Sequence, residues 1–145
     1  MYVERLLPVA HEKLVTIADH APLMEAAHLL HKGSDLVVVC NSAGLVAGVI
    51  TKTDVIGQMS RCQEASCAMA ASSTMTRDIV ICRPDELLQD VWKRMRERKL
   101  KNIPVVDKDS RPVGVLHARD ILQVLLEESK DEEAMLRDYV MGIGY

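Results

Sequence analysis

Two short polar turns hold the residues whose types and spacing could do chemistry. Thr51-Lys-Thr-Asp54 follows the apolar Gly48-Val-Ile and leads into Val55-Ile56. His117-Ala-Arg-Asp120 follows Gly114-Val-Leu and leads into Ile121-Leu122, 66 residues further on. In each, a strand-like run hands over to a helix start. One chemistry for such a turn is internal: Thr51 accepts a first-turn amide hydrogen bond and the carboxylate three residues on reaches back, a capping box. The acid also suits the positive end of the helix dipole, worth about 0.3–1 kcal/mol. The other chemistry is external. A helix N-terminus offers unpaired amides to an anion, Thr51 adds a hydroxyl donor, and Asp54 can accept from two neighbouring ribose hydroxyls. The second copy weighs toward the external reading, because His117 is a poor capping residue and yet Asp120 persists. Lys52, His117 and Arg119 set positive charge beside the turns, as a phosphate would require, and the second copy is the more cationic.

The elements that must position these turns also recur. Leu14–Ile17 is a short strand, Asp19-His-Ala-Pro22 opens a helix with Asp19 as its cap, and Gly33 closes that helix. Leu36–Cys40 and Leu45–Ile50 are apolar strands around an Asn41–Gly44 turn, an antiparallel hairpin. The next helix turns Val55, Ile56 and Met59 inward. The order then repeats. It runs through a strand at Ile79–Cys82, a helix opened by Pro84-Asp85, a hairpin of Asn102–Val106 with Pro112–Leu116, and a helix burying Ile121, Leu122, Leu125 and Leu126. Leu88 and Met95 match Leu23 and Leu30 at an offset of 65, so one residue is inserted near Lys99 before the hairpin offset of 66 is reached. The fold class is therefore α/β, with tandem β-α-β-β-α units of about 45 residues, each too small to bury both faces of its sheet alone. The two must pack about an approximate two-fold axis. The expected segments are a lead-in at 1–13 with one helical turn ended by Pro8, repeats at 14–60 and 78–126, a partly helical link at 61–77, and a terminal helix and tail at 127–145.

Composition narrows the function classes. The 145 residues are 48% hydrophobic and 27% charged, as in a globular domain. A net charge of −3 and four aromatics without a phenylalanine argue against a nucleic-acid partner. No apolar run approaches the roughly 20 residues of a membrane helix, and no secretory apolar region opens the chain; the expectation is a soluble, cytoplasmic protein. Cys40 and Cys82 read as buried small hydrophobes, while Cys62 and Cys67 lack a partnering pair at zinc spacing. His28-x-x-His31 sets two imidazoles on one helix face without a third ligand nearby in sequence. No nucleophile elbow, Gly-rich phosphate loop or paired acid and base is present, so the chain is not expected to be an enzyme.

The doubled unit resembles the cystathionine-β-synthase (CBS) domain. The likeness is carried by Gly48-Val-Ile-Thr51-Lys-Thr-Asp54 and by Asn102-Ile-Pro104-Val-Val-Asp107 with Gly114-Val-Leu-His117-Ala-Arg-Asp120, over about residues 14–126. Met75-Thr76-Arg77-Asp78 resembles the approach to the second unit. The resemblance implies a CBS pair, or Bateman module, that binds AMP, ADP, ATP, NAD or S-adenosylmethionine as a regulatory ligand and carries no catalytic cofactor. It implies that Thr51 contacts phosphate and Asp54 holds ribose, with Lys52 and Thr53 in the same turn. In the second turn it assigns Asp120 to ribose; His117 departs from the pattern, and His117 or Arg119 supplies the phosphate contact by charge. It lines the base pocket with Thr16 and Leu36 in the first unit, within 15–17 and 35–37, and with Val80, Asn102 and Ile103 in the second, within 79–81 and 101–103. It also implies a homodimer and a target protein that reads the ligand-dependent change. The alternative is a structural or interaction subunit with vestigial nucleotide sites.

Overall fold

The computed structural model describes residues 1–61 and 69–140. Cys62, Cys67 and the Gly142 and Gly144 expected to close the last helix lie outside these residues. The β-branched run before Cys40 becomes the central strand of the first sheet. β1 (Thr16–Ala18) pairs parallel with β2 (Val37–Cys40), which pairs antiparallel with β3 (Val46–Ile50). The second sheet is the hairpin of β4 (Asn102–Val106) and β5 (Pro112–His117), again antiparallel. Both hairpin turns close in the same way. Asn41 Oδ1 accepts from the Ala43 and Leu45 amides, and Asp107 Oδ1 accepts from Asp109 and Arg111 at 2.9 and 3.0 Å. Gly44 (φ +80°) and Ser110 (φ +64°) take the left-handed position.

The strand expected at Ile79–Cys82 is reduced to one parallel bridge, Cys82 to Val105. The reason is two prolines. In the first unit the Val38 amide donates to the Val15 carbonyl and the Asp19 amide to the Cys40 carbonyl. The repeat puts Pro104 and Pro84 at those two donor positions, and neither has an N–H. Only the Cys82 amide to the Pro104 carbonyl (3.0 Å) and the Val106 amide to the Cys82 carbonyl (2.9 Å) remain.

The helices depart from expectation mainly at their ends. Pro8 does not end the lead-in helix; it sits in the first turn of α1 (Leu7–Glu12), where its missing N–H is no loss. α2 (Leu23–His31) starts after Pro22, and Asp19 makes no cap, its carboxylate lying 3.5 Å from His20 Nδ1. α4 (Leu88–Arg98) starts at Leu88 rather than at Pro84-Asp85, which form a turn held by the Arg83 amide on Glu86 Oε2 at 2.7 Å. α2 and α4 end in the same way. The Gly33 and Ser34 amides return to Leu30 and Leu29, and the Lys99 and Leu100 amides to Arg96 and Met95, a Schellman closure. Lys99 (φ +54°) stands where the first unit has Gly33 (φ +120°), so the inserted residue is absorbed within α4 before Lys99.

α3 (Lys52–Arg61) turns Val55 and the buried Gln58 inward, leaving Ile56 and Met59 each 65% exposed. α5 (Ala118–Val140) is one continuous helix with no break at Ser129. It buries Ile121 and packs Val124 and Leu125 against the core, whereas Leu122 and Leu126, one step round the helix, are exposed. These four outward residues correct the expected inward faces.

The two units exchange their leading segments. Val3, Leu6 and Ala10 are buried with Leu88, Val91, Met95, Ile103, Leu116 and Ile121, the core of the second unit. Ala71 and Met75, from the segment before the second unit, are buried in the first with Ile17, Leu23, Leu30 and Ile50. Leu36, Val38, Val49 and Val115 form a third cluster that joins the two sheets.

Candidate functional site

β3 ends at Ile50 and α3 begins at Lys52, so Thr51 is the cap residue between them. The Thr51 amide donates to Asp54 Oδ2 at 2.9 Å, the Thr51 hydroxyl donates to the same oxygen at 3.2 Å, and the Asp54 amide reaches Thr51 Oγ1 at 3.4 Å. The capping box is thus formed. Asp54 Oδ1 in turn accepts from the Thr76 hydroxyl at 3.2 Å. Thr76 is held there by its backbone, which exchanges two hydrogen bonds with Val49. Gly48 permits this approach, since a Cβ at that position would lie 2.7 Å from the Thr76 carbonyl oxygen.

The second turn is built differently. His117 ends β5 and does serve as a cap, its Nδ1 accepting from the Arg119 amide at 3.0 Å. This corrects the expectation that histidine caps poorly here; the imidazole must carry its proton on Nε2 to do so. Asp120 does not reach back to the cap. Its carboxylate pairs with the Lys13 ammonium, delivered from the end of α1. α1 lies close because Gly114 is bare: a Cβ there would meet Ala10 Cβ at 2.7 Å.

Both turns open onto one cleft of about 1010 Å³. Of the residues assigned from sequence, Thr51, Lys52, Thr53 and Asp54 line it from the first turn, and His117, Arg119 and Asp120 from the second. Leu36, Val80 and Asn102 line its wall. Two are not brought there. Thr16 is exposed on β1, and Ile103 is fully buried in the second core, because alternation along β4 turns it inward next to the cleft-lining Asn102 and Pro104. The lining residues that sequence reasoning did not assign include four charged ones, Lys13, Asp78, Arg98 and Lys99, together with Thr76. Six lysines and arginines face four aspartates in this cleft, against a chain of net charge −3.

Cys82 is buried, and desolvation pushes its thiol up to about 12, with Glu86 adding to the rise and Arg94 opposing it. Burial likewise raises Cys40. Neither is a nucleophile at neutral pH. His28 and His31 are exposed on α2, and among the described residues no three metal-ligating side chains converge. No described helix is long and apolar enough to cross a membrane.

The family model described as "CBS domain" matches this chain twice, over residues 4–61 and 71–127. The chain belongs to the CBS-domain family. Its CBS pair superposes on that of the CBS-domain containing protein ATU1752 from Agrobacterium tumefaciens with a TM-score of 0.71, at 25% identity, covering 84% of this chain and 91% of that one. The CBS pair of protein MJ0100, solved with 5-methylthioadenosine and S-adenosyl-L-methionine, gives a TM-score of 0.72 at 22% identity over 88% and 98% of the two chains. The cytosolic domain of the Mg2+ channel MgtE, solved with ATP, gives 0.66 at 20% identity over 83% and 52%. Among curated proteins, a homoserine O-acetyltransferase of Methanococcoides burtonii is 29% identical over 81% of this chain but only 23% of its own length. The choline transport ATP-binding protein OpuBA of Bacillus subtilis is 27% identical over 92% and 34%. The chain thus spans about a quarter to a third of these relatives, and the acetyl-transfer and transport names belong to the longer proteins.

Proposed function

We propose that this CBS pair is a regulatory module that binds an adenosine nucleotide of the AMP, ADP, ATP or NAD kind and acts on a partner protein through a ligand-dependent change of shape. The observation that carries the reading is the single cleft onto which both Asp-bearing turns open, positively charged within an acidic chain. In this reading Asp54 and Asp120 take the ribose hydroxyls and the cations around them take the phosphate. The adenosine ligands of the MJ0100 and MgtE structures support the same chemistry. The ligand can shift the arrangement of the two units only by its differential affinity for one of them.

Thermal melting with AMP, ADP, ATP, NAD or S-adenosylmethionine tests this. A ligand at 100 times its Kd should add about 2.7 kcal/mol, a shift of several degrees for a chain of this size. That shift should shrink in Asp120→Ala. Indifference to all five would leave the structural-subunit reading, which the engagement of Asp54 by Thr51 and Thr76 favours.

The proposal includes a homodimer. Ile56 on α3 and Leu122 on α5 are related by the repeat, and with Met59 and Leu126 about one turn further on they present exposed apolar side chains, for which a second copy is the occupant we assign. Sedimentation should give a dimer, and Ile56→Asp with Leu122→Asp should give a folded monomer. An unchanged dimer would place the interface elsewhere.

A further inference from the structure

The repeat that makes the two turns alike reverses the charge beside them. Ala10 is the residue seated on Gly114, and Met75 with Thr76 sits on Gly48. Three residues past Ala10 is Lys13, whose ammonium holds Asp120; three past Met75 is Asp78, a carboxylate on the same segment as the Thr76 that holds Asp54. The turns themselves carry one lysine or arginine each, Lys52 where the second has Ala118 and Arg119 where the first has Thr53. The residues leading into the second strand of each unit do differ in the same sense as Lys13 and Asp78. Lys101, its carbonyl accepting from the Ala118 amide at the start of α5 at 2.8 Å, occupies the position of Asp35. Arg98 lies 3.8 Å from Asp78 and offsets that one carboxylate, leaving Asp54 and Asp35 opposite Lys52.

We propose that the two halves of the cleft are unequal. The half around Asp120 takes the phosphate-bearing nucleotide, with Lys13 as the residue that exchanges its partner from Asp120 to the phosphate. The half around Asp54 rejects phosphate, because the position that would supply the ammonium supplies a carboxylate. This rests on the nucleotide reading and adds to it a stoichiometry of one phosphorylated ligand per chain. The physical basis is that a charge-assisted hydrogen bond to phosphate is among the strongest single contacts available, while a like charge in the same place repels.

Isothermal titration of the intact protein with ATP and, separately, with adenosine tests the inference. ATP should bind at one per chain. Lys13→Met should weaken ATP about tenfold or more, the scale of one lost charged hydrogen bond. The same change should tighten adenosine a few-fold, since Asp120 loses its competing ion partner while the ribose still needs it. Asp78→Lys, which gives the first half the ammonium of the second, should raise the ATP stoichiometry to two. Both side chains are well exposed, at 42% and 94%, so neither change threatens the fold. A native stoichiometry of two, a Lys13→Met variant within twofold of native for ATP, or an Asp78→Lys variant still at one would each overturn the unequal cleft while leaving the nucleotide reading in place. Failure of ATP and adenosine alike to bind the native protein would overturn both.

Discussion

Leu6→Ala should destabilise the protein by about 3 kcal/mol, and for a chain of this length that lowers the melting temperature by about 10 °C. By its place in the sequence Leu6 belongs to a lead-in, before the first strand, where truncation would be harmless. In the structure it is 7% exposed and packed with Val3 and Ala10 in the core of the second unit, whose own helices supply Leu88, Val91 and Ile121. Removing its three outer carbons leaves a cavity walled by elements more than 80 residues away, which cannot collapse without moving α1. Val9→Ala in α1, the helix that follows Leu6 directly, is the control. Val9 is 39% exposed, so its loss should stay within about 0.5 kcal/mol. Thermal melts in which the two variants fall equally would show that the lead-in is not part of the second core.

The repeat itself was legible because strands, turns and helix starts are encoded locally. Gly48 with Asp54 and Gly114 with Asp120 sit at one offset, and the Asx-type turns at Asn41 and Asp107 follow it. What could not be read locally is which unit each leading segment packs on. Nothing in the periodicity around Leu6 or Met75 distinguishes its own unit from the other. The direction of the helix faces was also underdetermined. In α3, Val55, Ile56 and Met59 are all apolar, and a polar residue, Gln58, takes an inward position beside Val55, so hydrophobicity pointed outward residues in. The shortened strand at Cys82, by contrast, was available from Pro84 and Pro104, whose missing donors are visible in the sequence once the parallel pairing is laid on the repeat. At the site, the two turns were found through their aspartates. Lys13 was not, because its role depends on α1 lying against β5, a contact spanning more than 100 residues.

That contact gives the other large effect. Gly114→Ala places a Cβ 2.7 Å from Ala10 Cβ and 2.9 Å from the Ala10 carbonyl carbon. Alanine suits a strand better than glycine by roughly 0.5–1 kcal/mol, so a neutral or stabilising change would be expected if space allowed. Overpacking instead costs about 1–3 kcal/mol, and the upper end applies because the obstacle includes backbone. The net expectation is a loss of about 2 kcal/mol, measured by chemical denaturation. Ala10→Gly should return part of it, since it removes the nearer atom but not the carbonyl carbon, and a double-mutant cycle would show that coupling directly. Gly48→Ala makes a useful contrast. Its obstacles are the Thr76 carbonyl oxygen at 2.7 Å and the Met75 sulfur at 2.8 Å; the thioether can swing away but the carbonyl cannot, so Met75→Ala should rescue it poorly. The two glycines therefore bear on the cleft as well as on stability. Moving α1 off β5 carries Lys13 away from Asp120, and moving the 75–76 segment off β3 carries Thr76 away from Asp54. Gly114→Ala should accordingly weaken ATP binding though Gly114 touches no ligand. An ATP affinity unchanged in a destabilised Gly114→Ala protein would separate the packing of α1 from the chemistry of the cleft.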